Sequence, residues 1–301
     1  MDFTPLTLAD LGRFRAAEKS APAPNSTEVN FTNLFIWRSF YRPRWAEHQG
    51  CLSLIACPEG VEPFGLPPVG GGDRLAALDF TLDALRDLTP APTCRRVPEN
   101  LLELMSAAGR PYTAVPDRDN DEYVYLSGQL AALNGRRMHQ KKNHYNHFVS
   151  RNRFECLPLT EDLRPELMAV QESWLATKVE RDEISPTQLG YEAEAVREML
   201  EHLRELDQLG LAIRINGRLE AFTLGEVIRP DMVLVHLEKA NPKIRGLFVA
   251  LASHFCRALP PGLTYVNREQ DLGLPGLRQS KESFKPDHMV RKFILRPAGA
   301  A

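Results

Sequence analysis

Apolar residues recur at two periods along this chain, and the second half shows them most clearly. Leu163, Leu167, Val170 and Trp174 fall three and four apart, as do Val196, Met199, Leu200, Leu203 and Leu206, the spacing that lines side chains along one helical face. Leu211 to Ile215 and Leu219 to Val227 read as strands joined by Asn216-Gly217, a dipeptide suited to the left-handed positions of a two-residue hairpin turn. Met232 to Lys239 predicts a third strand. Asn241 to Gly246 is a loop into Leu247 to Leu259, so apolar that the predicted helix is buried on every side. Tyr265 to Arg268 makes a fourth strand, a turn at Gly273 to Gly276 opens a short helix, and Met289 to Leu295 makes the last strand.

The first half has shorter runs. Leu52 to Ala56 reads as a strand, and LPPVGGGD, from Leu66, as a loop ending on Asp73 as a helix N-cap. Leu75, Leu78, Leu82 and Leu85 then share one helical face, and a second helix is expected from Glu99 to Ala108. An acidic turn from Asp117 to Glu122 precedes YVYL, a strand. Ser127 to Asn152 reads as helical, with Met138, Tyr145 and Val149 on one stripe and Arg136, Arg137, Lys141, His144, His147 and Arg151 on the opposite arc. A strand restarts at Phe154, which places a domain boundary near residue 153 and predicts domains of residues 1–153 and 154–301. Phe31, Phe35, Trp37, Phe40 and Tyr41 are core aromatics of the first domain in this reading.

Composition narrows the class. At 301 residues, 43% apolar and 25% charged, the chain is long enough for two globular domains. No apolar run approaches the roughly 20 residues of a membrane-spanning helix, and the N-terminus lacks a secretory pattern, so a cytoplasmic protein is expected. Five cysteines without a CxxC pair argue against a disulfide framework and a zinc knuckle. The net charge of −2 hides an uneven distribution. Arg136, Arg137, Lys141, Lys142, Arg151 and Arg153 form a basic island without a single acid.

Two helices, a hairpin, a strand, a loop with its buried helix, a strand, a short helix and a final strand follow the element order of the GCN5-related N-acetyltransferase fold. The stretches VHLEKANPKIRG from Val235 and YVNREQDLGLPGLRQSKESFKPDHMVRKF from Tyr265 carry a more specific likeness, together with FTNLFIW from Phe31, the acidic turn with YVYL, and LNGRRMHQKKNHYNHF from Leu133. With them the chain resembles the soluble bacterial proteins related to the C-terminal domain of phosphatidylglycerol lysyltransferase. That resemblance implies an α/β (α+β) protein of two tandem acetyltransferase-like domains, each a mixed, mostly antiparallel sheet flanked by helices, the first a degenerate copy. Membrane-anchored relatives move lysine from its tRNA onto a lipid. This chain shows no membrane portion, which leaves the acceptor open.

Acyl transfer needs a place for the donor's phosphates, a polarised carbonyl and a neutral nucleophile. The loop with Lys243, Arg245 and Gly246, between a strand and a helix N-terminus, offers cations and backbone N–H groups to a phosphate. Acetyltransferases usually carry Arg or Gln, two residues, Gly, one residue, then Gly or Ala. Lys243 and Gly246 match, but Phe248 occupies the small-residue position, which leaves acyl-CoA and aminoacyl-tRNA both open as donors, and a plain strand-to-helix turn has the same spacing. His236 and Glu238 share a strand face, where the carboxylate could accept a proton from an amine, or simply pair with Lys239. Asn267 and Glu269 repeat that pattern one strand over, on the face opposite Arg268.

Arg268, Arg278 and Lys281, with Lys285, are expected to bind an anionic substrate or to be solvated charge. Many acetyltransferases place a tyrosine acid near Ser283-Phe284, a role left here to Ser283 or Tyr265. Arg136, Arg137, Lys141 and Arg151 are candidates for contact with tRNA, other RNA or acidic lipid, or for a solvated helix face. The acidic turn fails as a calcium loop at Glu122 and Gly128, the Gly70–Gly72 run is a flexible turn or a phosphate loop, and no metal is expected from His139, His144 and His147. The expected function is acyl or aminoacyl transfer to an amine or hydroxyl of a small molecule or lipid. The alternative is a non-catalytic RNA- or partner-binding module on a degenerate fold.

Overall fold

A computed structural model of the chain describes residues 2–21, 27–180 and 186–297. It divides into two compact units, the first of Met1–Glu122, Gln270–Leu274 and Met289–Ala301, the second of Tyr123–Glu269 and Pro275–His288. The expected boundary at residue 153 therefore falls inside the second unit.

The first unit contains β1 (Thr4–Pro5), α1 (Leu11–Ser20), α2 (Phe31–Ile36), α3 (Arg38–Tyr41), β2 (Arg44–His48), β3 (Cys51–Ala56), β4 (Phe64–Val69), α4 (Arg74–Leu85), β5 (Cys94–Pro98), α5 (Glu99–Ala107) and β6 (Tyr112–Pro116). The second contains β7 (Glu122–Leu126), α6 (Ser127–Ala132), α7 (His139–Arg151), β8 (Phe154–Pro158), α8 (Arg164–Glu180), α9 (Pro186–Glu201), β9 (Leu209–Ile215), β10 (Arg218–Arg229), β11 (Met232–Ala240), α10 (Leu247–Ala258), β12 (Tyr265–Asn267), α11 (Pro275–Ser283) and the first residue of β13 (His288–Val290). The single last strand of the sequence reading is broken at Arg291. Its first piece, β13, joins β7, and its second, β14 (Lys292–Pro297), lies between β5 and β6.

Both sheets are mixed and seven-stranded, in the orders β1-β2-β3-β4-β5-β14-β6 and β13-β7-β12-β11-β10-β9-β8. A strand from the N-terminal half thus completes the second sheet, and the last strand of the chain completes the first. Leu295 of β14 is fully buried with Leu78, Leu82, Leu85, Val97 and Leu101 in the first core. Lys292 is buried as well and donates through Nζ to Glu122, while its backbone N–H reaches Asp121 at 2.8 Å and Thr27 Oγ1 donates to Glu122 at 2.7 Å.

The loop expected from Leu66 is mostly strand. Leu52 pairs with Val69 and Leu54 with Leu66, so β4 carries one extra residue there, and this bulge admits Pro67 and Pro68, which cannot donate to a ladder. Only Gly70–Gly72 remain as loop before Asp73, whose carboxylate accepts from Leu75 N and Ala76 N at the start of α4. A Cβ on Gly72 would stand 2.0 Å from the Gln49 carbonyl oxygen, and one on Gly71 2.4 Å from that of Ser20. The run is a packed junction. Trp37, Phe40 and Tyr41 are half-buried, whereas Phe31 and Phe35 are core residues.

In the second unit α10 packs on β9, β10 and β11 and against α6 and α7. Phe248 on its first turn is 37% exposed, so the helix is not covered on every side. The helical stretch from Ser127 is two helices, because Leu133 (φ 50°) and Gly135 (φ 83°) take left-handed conformations that stop α6. Met138 and Phe148 are buried, and Val149, expected on the buried stripe, is exposed. Asn216 (φ 50°) and Gly217 (φ 83°) make the predicted hairpin turn.

Candidate active site

The site lies where β11 and β12 part. They run parallel, paired at Met232–Tyr265, Val233–Val266 and Leu234–Asn267, and the pairing ends there while β11 continues to Ala240. Just past that point β11 carries an extra residue, since Leu224 pairs with Leu237 but Gly225 with Val235, leaving His236 as the bulge. Glycine is required opposite it, because a Cβ on Gly225 would lie 2.2 Å from the Leu234 carbonyl oxygen.

The open end is bridged by charge. His236, with no exposed side-chain surface, meets Glu226 through Nε2 at 2.9 Å and Glu269 through Nδ1 at 3.3 Å. Burial pulls its pKa down, but the hydrogen bonds and charges of Glu226 and Glu269 outweigh burial and raise it to about 9. His236 is therefore a charged clasp joining β10, β11 and the end of β12. It is no free base. Glu226, absent from the sequence candidates, is the nearer of its two partners.

Glu238 accepts from Arg268, through Nε at 2.9 Å and through Nη2, both on Oε2. The expected partner Lys239 points elsewhere, to Glu192 and to the Trp174 ring, 3.7 Å from its centroid. Burial opposes the Arg268 charge, and Glu238 and Tyr125 outweigh it to raise the Arg268 pKa. The expectation that Arg268 faces away from Glu269 fails because Glu269 takes a left-handed conformation (φ 55°) and ends the alternation of β12, so Arg268 and Glu269 both reach β11. Asn267 is buried, and its Oδ1 accepts from Glu269 N at 2.9 Å, which shapes that turn. Lys281 donates through Nζ to the carbonyls of Arg268 and Glu269, binding the turn to α11.

Arg278 is half-buried on α11, and Tyr265 packs its ring 5.5 Å from that of His288. Ser283 donates to the Ser280 carbonyl. Tyr125, an alternation partner in YVYL, lies closer to the polar cluster, with its hydroxyl on the Lys281 carbonyl at 2.9 Å and its ring 5.6 Å from the Arg268 guanidinium. Burial raises its pKa.

Beyond β11, Asn241 organises the loop, its Oδ1 accepting from Lys243 N at 3.0 Å and its carbonyl from Ile244 N at 3.2 Å. Gly246 is the N-cap of α10, left-handed at φ 86° and without a side-chain cap. Its lack of a side chain serves α7: a Cβ would stand 2.2 Å from the His144 carbonyl oxygen. The space a side chain at Gly246 would take is filled by the α7 backbone.

That contact joins the loop to the basic island. Burial, Arg245, Lys141 and His147 hold the His144 pKa below its ordinary value. Arg136, Arg137 and Arg151 are exposed, but Lys141 turns in, its Nζ 3.9 Å from the Phe284 ring centroid. Among the described residues the one group of ligand-type side chains that comes together is Glu198, Glu201 and His202 on and just after α9, which does not include His139, His144 or His147. No described helix is long and apolar enough to cross a membrane.

Comparison with known proteins follows this geometry. The family model for the C-terminal part of phosphatidylglycerol lysyltransferase matches residues 21–296. No curated protein matches the chain. A conserved protein of unknown function from Bacteroides thetaiotaomicron superposes with a TM-score of 0.88 at 28% identity, over 99% of both chains. L-PGS from Bacillus licheniformis superposes with a TM-score of 0.65 at 14% identity, over 98% of this chain and 93% of that one. A tandem GNAT protein from the clavulanic acid biosynthesis pathway gives 0.50 at 11%, over 98% and 97%. The mixed α/β, acetyltransferase-like fold is thereby shown.

Proposed function

The chain belongs to the family of phosphatidylglycerol lysyltransferase C-terminal domains, and from that premise we propose that its second unit moves an acyl or aminoacyl group from a phosphate-bearing donor to an amine or hydroxyl, in the cytoplasm. The observation that carries this reading is the open end of the β11–β12 pair, lined by Glu238 and Arg268 and continuous through β11 with a helix N-terminus that has no side-chain cap. Lys243 and Arg245 hold the donor phosphates beside the positive end of α10. The donor is acyl-CoA or aminoacyl-tRNA, the latter reaching the exposed Arg136, Arg137 and Arg151. The acceptor is a small molecule or a lipid.

Glu238 is the base in this reading. Both Arg268 hydrogen bonds fall on Oε2, so Oε1 is left to the acceptor. The acceptor N or O attacks the donor carbonyl carbon, its proton passes to Oε1, the carbonyl's bond to sulfur or ribose oxygen breaks, and the leaving group takes up a proton. His236 is a positioning residue that holds Glu269 and the bulge, and Asn267 shapes the turn that carries Arg268. In this reading Arg278 and Tyr265 bind the acceptor, while Lys281 fixes the turn.

A thermal-shift screen with coenzyme A thioesters and charged tRNA tests the donor, since a ligand at one hundred times its Kd stabilises by about 2.7 kcal/mol. Lys243→Ala with Arg245→Ala should weaken donor binding by roughly 1.5–3 kcal/mol for each lost charge-assisted hydrogen bond. Glu238→Gln should keep donor affinity and slow turnover. A non-catalytic binding module is the second reading, favoured by the His144 carbonyl packed over Gly246. It is the outcome if no donor shifts the melting temperature while RNA binds with strong salt dependence.

A further inference from the structure

Cations gather around Phe284 in excess of the acids that meet them. Lys141 Nζ lies 3.9 Å from the ring centroid and the Arg268 guanidinium carbon 4.7 Å from it. Lys285, the next residue, repels Lys141 together with Arg268. Glu238, the carboxylate beside Arg268, is engaged by it, and Glu282 acts on Tyr125, the ring paired with Phe284. Among the described residues no acid pairs with Lys141 or Lys285, and Nη1 of Arg268 is buried without a hydrogen bond. Like charges held together at a half-buried site raise the free energy of the empty protein, and the face of one aromatic ring offsets only part of that. A buried donor without an acceptor adds to the cost. Such violations are expected where a ligand supplies what the protein lacks.

We infer that Lys141, Arg268 and Lys285 form a subsite for a phosphate group, separate from the loop of Lys243 to Gly246. Lys141 lies on α7, Arg268 directly follows β12 and Lys285 follows α11, so the three come from separate segments of the chain. A phosphate diester offers two charged and two ester oxygens in a tetrahedral array that can face all three, whereas a carboxylate offers two oxygens in one plane. The inference follows from the charge imbalance and does not need the transferase reading, so the two can fail separately.

The groups that face Lys141 are Arg268, Lys285, His144 one turn along α7, and the Phe284 ring, with Glu238 beyond Arg268. Burial, Arg268 and Lys285 pull the Lys141 ammonium down to about 8, so it loses its proton over an accessible range. Dimethyl phosphate keeps one negative charge throughout that range and is the probe for calorimetric titration. Its affinity should fall about tenfold from pH 7 to pH 9, following the protonated fraction of a group that titrates near 8. Lys141→Met should weaken binding at pH 7 at least tenfold and flatten the pH profile, and Lys285→Gln should weaken it less. Both variants should melt at or above the wild-type temperature, because a repulsion is removed.

Unchanged affinity in Lys141→Met, or no binding to folded wild type at tens of millimolar probe, would overturn the subsite. So would a lower melting temperature for Lys141→Met with binding intact, since the lysine would then be structural. Displacement of the probe by phosphatidylglycerol vesicles but not phosphatidylcholine vesicles supports the subsite with a lipid headgroup as its source. Displacement by inorganic phosphate alone supports it with a soluble phosphate ester. Lys243→Ala with Arg245→Ala should leave probe affinity unchanged, which separates this site from the donor loop.

Discussion

Each unit sends a sheet strand through a glycine-containing loop into a helix, and the two finish that helix N-terminus differently. In the first unit β4 leads through Gly70–Gly72 to α4, and the Asp73 carboxylate accepts the first free N–H groups. In the second, β11 leads through Lys243 and Arg245 to α10, whose N-cap Gly246 has no side chain to do so. An anion that belongs to the chain already occupies the first position, while the second has cations nearby and no side-chain cap. The glycines do not distinguish the two. Gly72 makes room for the Gln49 carbonyl and Gly246 for the His144 carbonyl, so both are demanded by packing, and the difference lies in cap and charge.

The units differ also in the charge they bury. Lys292 with Glu122 seals the strand that closes the first sheet, and His236 between Glu226 and Glu269 seals the parting strands of the second. The largest expected effect breaks the first. Lys292→Met leaves Glu122 buried without its cation, at about 3–5 kcal/mol, read as lost urea stability and faster amide exchange in β5, β14 and β6. A melting temperature equal to wild type would show that Glu122 finds another partner.

Next in size is a pH effect confined to the second unit. The raised pKa of His236 means that the folded state holds its proton more tightly than the unfolded chain, whose imidazole titrates near 6.5. The clasp's stabilisation, on the order of 3 kcal/mol, is therefore full below about pH 6.5 and is lost as pH rises through about 9. Urea melts from pH 6 to 9.5 should show that loss in wild type and not in His236→Gln, while amide protection of β5 and β14 stays level.

Gly72→Ala and Gly246→Ala sharpen the comparison. Each places a methyl group against a backbone oxygen, and each should cost roughly 1–3 kcal/mol, visible in urea melts. A Gly246→Ala variant as stable as wild type would show that α7 does not depend on that space. Smallest is Asp73→Ala, at about 0.5–2 kcal/mol for a lost N-cap. It should create no phosphate binding in the first unit, because the glycine loop there is filled by Ser20 and Gln49, and calorimetry with inorganic phosphate checks this.

Much of the local structure was legible. The spacing of Leu75, Leu78, Leu82 and Leu85 marked α4, Asp73 marked its cap, and Asn216-Gly217 marked the hairpin, because periodicity and turn chemistry act within a few residues. The site was legible as a region. Glu238, His236, Arg268 and Glu269, each singled out as a candidate, do meet past the end of β12. Their partners were not legible. Glu238 looked toward its neighbour Lys239, but adjacent strand residues point to opposite faces and its cation came from across the gap.

By itself the sequence determined most elements of the second half and their order, since each follows from short-range pattern, and that order with the family likeness gave the acetyltransferase-like class. Tertiary structure alone decided that YVYL joins the second sheet and the final strand the first, that Gly246 yields to α7, and that Lys141 turns in toward Phe284. The physical reason is the range of the forces. A strand's alternation specifies which side is buried but not which edge it pairs with, and a charge takes whichever partner the packed backbone brings within hydrogen-bond reach.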